Sequence, residues 1–177
     1  MATIESITQS SDLARIARLY DRVFTGPPWF DPPLGEKRGI AYIQKELSQQ
    51  LAVALLAVIS DAPVGFAWGY QLNWLKFSET KYDTQEGQEK MAKFSPGLQS
   101  YFYISEVGVD PRYQKQKIGT QLAEKLSQAG SPLLMRTLDT SPMLSIAIKK
   151  LLMQPIVGLD LEKKDPENPR RVILIKQ

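Results

Sequence analysis

Between a strand-like run ending at Val109 and a helix-like run starting near Ile118, the chain reads DPRYQKQK, Asp110 to Lys117. The first N–H groups of a helix have no partner inside it, and the helix dipole adds positive potential there. Such an end binds phosphate readily. Gln114, Lys115, Gln116 and Lys117 surround it with amides and ammonium groups, and Gly119 permits a close approach at the first turn. The chemistry on offer is anion binding at a strand–helix junction. The same residues also fit a plain, solvated basic connection. The stretch is neither a nucleoside-triphosphate loop nor a dinucleotide fingerprint, because GxxxxGK and GxGxxG are both missing from the chain.

The 177 residues include no cysteine and no histidine. That removes thiol nucleophiles, disulfides, the Ser-His-Asp arrangement and the usual zinc ligands, so no metal is expected. Proton transfer falls to carboxylates, tyrosine, lysine or water. Glu106 stands out because strict strand alternation puts it on one face with Phe102 and Ile104. A carboxylate among apolar neighbours has its neutral form favoured and its pKa raised. A bulge would instead turn it to solvent or into a structural pair.

An apolar fraction of 43% and this length fit one domain over residues 1–177. Net charge is only +3, with no long basic block, so nucleic acid is not an expected partner. The stretch MATIESITQSSD lacks the pattern of a secretory leader, and the longest apolar run, Leu51–Ile59, is too short to span a bilayer. With the missing cysteines, these features predict a cytoplasmic protein without a membrane partner.

The elements that must position these residues follow from periodicity. Ala2–Thr8 reads as a first strand. Ser10 or Ser11 can cap a helix carrying Leu13, Ile16, Tyr20 and Phe24 on one face, with Asp12 in its first turn. Gly26–Gly35 is a proline-rich loop holding Trp29 and Phe30. A second helix carries Ile40, Ile43 and Leu47. Leu51–Ser60 and Val64–Asn73 form a hairpin across a turn at Asp61–Pro63. Asn73–Gly97 is polar with dispersed aromatic residues; Gln88–Phe94 can form a short helix. Gln99–Val109 is a strand, Ile118–Ala129 a helix, Pro132–Thr137 a strand and Pro142–Met153 a helix. Ile156–Leu161 and Arg171–Ile175 pair across DPENP, Asp165–Pro169. The order predicts a mixed α/β sheet with helices on both faces.

VGVDPRYQKQKIGTQL resembles the acyl-CoA-binding signature of GNAT-type N-acetyltransferases. Val107, Val109 and Pro111 match its strand end, and Gln114, Gly119 and Leu122 match its loop and helix. The element order fits over nearly the whole chain. MRTLDTSPMLSIAIKKLL resembles the family's following strand and helix, and PPW at Pro27–Trp29 and GFAWGY at Gly65–Tyr70 resemble segments of members with unassigned substrates. The resemblance implies a mostly antiparallel sheet of six or seven strands. It implies direct transfer of an acetyl group from acetyl-CoA to the primary amine of a small molecule or peptide, and a homodimer as one form. It implies that Gln99–Val109 and Pro132–Thr137 splay apart for the pantetheine arm. Backbone groups of Val107, Gly108 and Val109 would bond that arm, and N–H groups from Gln116 through Lys117, Ile118 and Gly119 to Thr120 would hold the pyrophosphate. Gln114, Lys115, Ser141 and Ser145 are further cofactor positions.

Two positions depart from the signature. Its first glycine is Lys117, which can supply its N–H if the backbone stays right-handed. The tyrosine that many members place on the helix after the fifth strand corresponds to Ala147. Glu106 is then the candidate base for the acceptor, and Tyr103 or Ser145 the candidate proton donor to the leaving thiolate. Trp29, Phe30, Trp68, Tyr70 and Trp74 either line an acceptor pocket or belong to the core. Asp21, Asp31, Glu36, Glu79, Asp83 and Glu86 are scattered acidic residues that form no recognisable cluster. A module that binds acyl-CoA without turnover, or one that binds a protein partner, is the competing reading.

Overall fold

The computed structural model describes residues 2–8, 11–81, 85–93, 100–157 and 171–177. The predicted apolar face of the first helix is realised in α1 (Leu13–Phe24), which buries Ile16, Leu19, Val23 and Phe24. Its cap is Asp12, whose carboxylate accepts the Arg15 N–H at 3.1 Å. Asp12 is therefore the cap itself and not a first-turn residue. Ser10 lies outside the described residues, and the Ser11 hydroxyl accepts the Thr8 N–H instead. The second helix, α2, spans Glu36–Leu47 and packs on α1 through the close pair Gly39 and Ala17.

Among the described residues, seven strands form one sheet: β1 (Thr3–Ser6), β2 (Val53–Ile59), β3 (Ala62–Asn73), β4 (Ser100–Val109), β5 (Leu133–Leu138), β6 (Gln154–Pro155) and β7 (Arg171–Lys176). Their order is β1-β2-β3-β4-β5-β7-β6, and every pair is antiparallel except β4 with β5. The β2–β3 turn is tighter than expected. Ser60 and Asp61 both take positive φ, as a two-residue hairpin turn requires, so Ala62 and Pro63 already belong to β3.

The polar connection after β3 is helical: α3 (Trp74–Lys81) and α4 (Gln85–Lys93), the second containing the short helix expected from Gln88 as far as Lys93. Trp74, Phe77 and Met91 are buried there against Tyr101 and Tyr103, and Trp74 Nε1 donates to the Met91 carbonyl at 2.8 Å. Helix α5 covers Ile118–Ser127. Helix α6 covers Pro142–Lys149 and stops short of the expected Met153, because Leu152 turns to φ 57° and Met153 bonds back to Ala147. The last pairing accordingly begins earlier than Ile156–Leu161, at Gln154–Pro155. The end of that predicted strand, the turn Asp165–Pro169, Gln99 and Phe94 lie outside the described residues.

Helices α5 and α6 cover one face of the sheet, over Leu55, Ala67, Phe102, Ile104, Leu133 and Met135. The other face is covered by α1 and α2 over Leu56, Phe66 and Trp68, and by α3 and α4 over Tyr70, Tyr101 and Tyr103. Among the described residues no helix is long and apolar enough to cross a membrane.

Candidate active site

Asp110 sets the geometry of the junction. Its buried carboxylate caps a 3-10 turn at Pro111–Tyr113, accepting the Arg112 N–H at 3.0 Å. The Arg112 guanidinium grips both carboxylate oxygens, at 3.0 and 2.8 Å, and Arg22 of α1 adds a third bond at 3.1 Å. These bonds, Arg112 foremost, hold the Asp110 carboxyl well below the usual carboxylate range. The chain leaving the turn is unusual. Lys115 and Lys117 both take φ 63°, and Lys117 caps α5 with a left-handed backbone. The expected right-handed Lys117 is thus corrected: the lysine occupies the conformation a glycine would take. Left-handed then right-handed residues turn successive N–H groups inward, and such a concavity binds anions.

A cavity of about 400 Å³ opens at this point. Of the residues singled out for a cofactor, Val107, Gly108, Val109, Gln114, Lys115, Lys117, Ile118, Gly119, Thr120 and Ser141 line it, whereas Gln116 and Ser145 do not. A Cβ at Gly119 would meet Val109 at 3.4 Å and Ile146 at 4.0 Å, so the wall there is close-fitting yet open. Gly108 has a different reason for being glycine: a Cβ would fall 2.5 Å from the Phe66 ring.

The second feature is a split in the sheet. Strands β4 and β5 pair only over Phe102–Ile104 and Leu133–Met135, yet β4 runs on to Val109 and β5 to Leu138. A bulge marks the parting point. Trp68 faces Glu106 while Gly69 faces Ile104, which leaves Ser105 as the extra residue. Gly69 permits it, since a Cβ there would lie 2.5 Å from the Tyr103 carbonyl.

The bulge overturns strict alternation for Glu106. Its side chain leaves the Phe102–Ile104 face and meets α2, where Tyr42 donates to Oε1 at 2.9 Å. Ser105 turns the same way and donates to Glu46 at 2.6 Å. Desolvation raises the Glu106 carboxyl to about 7, against the hydrogen bond from Tyr42 and the charge of Lys81, which lower it; Glu46 and Asp31 add to the rise. Burial beside Glu106 pushes the Tyr42 and Tyr20 hydroxyls far up, so both stay protonated.

The other candidates are dispersed. Tyr103 is buried at the bottom of the α3–α4 layer, edge-on to Tyr70, and burial raises its hydroxyl pKa. Trp68 and Trp74 are buried core residues, and Tyr70, raised to about 12 by burial, is in the same core cluster as Trp74. Phe30 is 70% exposed. Trp29 alone among the five aromatic residues lines the cavity, held edge-on to Phe24 at 5.5 Å. Asp21 closes the proline-rich loop by accepting the N–H groups of Leu34 and Gly35, and Glu36 is ion-paired with Arg18. Ala147 is fully buried, and its neighbour Ile146 faces the cavity. Among the described residues, no cluster of three or more potential metal ligands occurs.

Sequence reasoning missed Tyr42 and Glu46. Their four-residue spacing on α2 places them on one side of the helix, which is the available signal. A glycine within a strand, as in GFAWGY, is the signal for the bulge.

The acetyltransferase (GNAT) family model matches residues 13–132. No curated protein sequence matches the chain. Among solved structures, Arabidopsis thaliana NAA60 in complex with acetyl-CoA superposes with a TM-score of 0.66 at 16% identity, covering 99% of this chain and 97% of that one. The yncA protein of Salmonella typhimurium with its cofactor acetyl-CoA gives 0.61 at 15%, covering 99% and 93%. An acetyltransferase from Streptococcus agalactiae gives 0.63 at 13%, covering 99% and 97%.

Proposed function

The chain belongs to the acetyltransferase (GNAT) family, and we propose that residues 1–177 act as one N-acetyltransferase domain that moves an acetyl group from acetyl-CoA to a primary amine. One observation carries this reading. The cavity at the α5 N-terminus is lined by Val107, Gly108 and Val109 of β4, directly after the bulge that carries Glu106, where β4 parts from β5. The cavity suits the cofactor by its chemistry: inward N–H groups around Lys117 and Gly119, two lysines, and an apolar wall of Val107, Val109 and Ile146.

When bound, acetyl-CoA supplies an activated thioester. The residues do the rest. N–H groups from Gln116 to Thr120 hold phosphate oxygens, and the free edge of β4 at Val107–Val109 bonds the pantetheine amides. Glu106 takes a proton from the acceptor ammonium, because a carboxyl titrating near 7 is half ionised where an amine must be deprotonated. Tyr42 keeps that carboxylate in place. The amine nitrogen then forms the new bond to the acetyl carbon as the carbon–sulfur bond breaks. The departing thiolate takes its proton from water, since Tyr103 is buried under α3 and Ser145 lies outside the cavity.

The test is thiol release from acetyl-CoA across a panel of amines. Wild-type protein should release thiol, and Glu106→Gln should lose at least about 100-fold in kcat/KM while binding acetyl-CoA normally. Ala147 favours a second reading, a module that binds acyl-CoA without turnover, because the buried alanine offers no proton donor. In that case Glu106→Gln would change nothing and no amine would be acetylated.

A further inference from the structure

The bulge puts two adjacent residues of β4 on one side of the sheet. Successive strand side chains normally point to opposite faces, so Ser105 and Glu106 both meet α2 only because the register shifts opposite Trp68 and Gly69. Helix α2 receives them with Tyr42 and Glu46, one turn and about 6 Å apart along its axis. Tyr42 donates to Glu106 at 2.9 Å, and Glu46 accepts the Ser105 hydroxyl at 2.6 Å. The second bond has the length of a hydroxyl donating to an ionised carboxylate. Helix α2 is a firm base for both bonds. Gly39 sets it so close to α1 that a Cβ there would fall 2.8 Å from the Ala17 Cβ.

Little else pins this register. Strand β4 bonds to β5 only as far as Ile104, so from Ser105 onward its second edge has no strand partner among the described residues. On β3 the residue beside the bulge is Gly69, which has no side chain to lock it. A slip of one residue would exchange faces and send Glu106 back toward Phe102 and Ile104. Glu46 is also a poor choice for packing alone. It is 7% exposed, and the other residues that α2 buries are Gly39 and Ile43. Burying a carboxylate opposes folding, where an apolar side chain in its place would favour it.

Resting on the acetyltransferase reading above, in which Glu106 is the base, we propose that Glu46 is its positioning residue: by holding the Ser105 hydroxyl it keeps the bulge in the register that turns Glu106 onto Tyr42. The charge of Glu46 has a second effect. Burial raises the Glu106 carboxyl first, and Glu46 adds to the rise. Groups that also act on this pair are Tyr20 of α1, Asp31 of the proline-rich loop, Tyr42 of α2, Lys81 of α3, Tyr70 of β3, Tyr103 of β4 and Arg171 of β7. All of them are retained in variants at Glu46 and Ser105, so such variants separate the hydrogen bond from the charge.

The experiment reads thiol release against pH, acetyl-CoA affinity by calorimetry, and the Glu106 carboxyl by carbon NMR of protein labelled at the glutamate carboxyls, its signal assigned with Glu106→Gln. Ser105→Ala breaks the tie and leaves the charge. It should lower kcat at least about 10-fold at unchanged acetyl-CoA affinity, and shift the Glu106 titration midpoint. Ser105→Thr keeps a hydroxyl and should restore most of kcat. Glu46→Gln keeps an oxygen for Ser105 and removes the charge. It should lose less than about 3-fold in kcat, while the Glu106 midpoint and the acid limb of the rate profile both move to lower pH. Ser105→Ala combined with Glu46→Leu removes both partners, and should be as stable as wild type in urea yet as slow as Ser105→Ala. A kcat and a Glu106 midpoint indifferent to Ser105→Ala and to the double variant would overturn the inference and leave the bond a purely structural one. If even the wild type releases no thiol, the catalytic reading falls. The inference is then decided by the Glu106 midpoint, which moves in Ser105→Ala if Glu46 positions the carboxylate and stays if it does not.

Discussion

Glu106 shows how a single inserted residue changes chemistry. Without Ser105 as the extra residue, the carboxylate would point at Phe102 and Ile104 beneath α5. With it, the carboxylate meets Tyr42 and titrates near 7. Because its folded pKa lies above its intrinsic value, the folded protein holds the proton more tightly than the unfolded chain. Stability therefore falls as pH rises from about 4.5 to about 7, and stays lower above that. Glu106→Gln should then be more stable than wild type at pH 8, by about 1 kcal/mol or more, and nearly equal to it at pH 4, as read by urea unfolding. Tyr42→Phe removes a bond that favours the carboxylate, so the acid limb of the pH–rate profile should move to higher pH. An unmoved limb would mean that Tyr42 does not touch the ionising group.

At the scale of elements, the α5 junction is held by a strained backbone and a buried ion network. A side chain in the left-handed region costs about 1–2 kcal/mol, against which a glycine there adds some unfolded-state entropy. Lys117→Gly should leave the protein equally stable or up to about 1 kcal/mol more stable, and should flatten the salt dependence of acetyl-CoA binding. Asp110→Ala frees Arg112 and Arg22 and removes the cap of the 3-10 turn, so it should cost about 2–4 kcal/mol in denaturant unfolding. Gly119→Ala fits the space beside Val109 and should bind acetyl-CoA nearly as wild type, whereas Gly119→Glu should abolish binding without unfolding the protein. Normal binding by Gly119→Glu would mean that the phosphate site is elsewhere.

At the scale of the molecule, a mixed sheet with helices on both faces is what the element order predicts, and six or seven mostly antiparallel strands are what the GNAT resemblance implies; the described residues have both. The periodic segments were legible because α1, β2 and α5 bury continuous faces. Helix α4 was legible in part, as Gln88–Phe94, whereas α3 was not, because Trp74, Phe77 and Met91 face one another across a chain reversal and no single window holds their pattern. The cavity residues were legible as a contiguous stretch of β4, loop and α5. Tyr42 and Glu46 were not, because only the tertiary fold brings α2 against the bulge in β4. The lengths of α6 and of the last pairing were misjudged for a local reason, the left-handed turn at Leu152.

The most direct measurement is thiol release from acetyl-CoA by wild type and Glu106→Gln between pH 5 and 9, with acetyl-CoA affinity measured on both. A wild-type rate that rises with a midpoint near pH 7, lost by at least about 100-fold in the variant at unchanged cofactor affinity, is the expected result. A variant that keeps the wild-type rate and midpoint would contradict Glu106 as the base, and a protein that binds no acetyl-CoA would contradict the site itself.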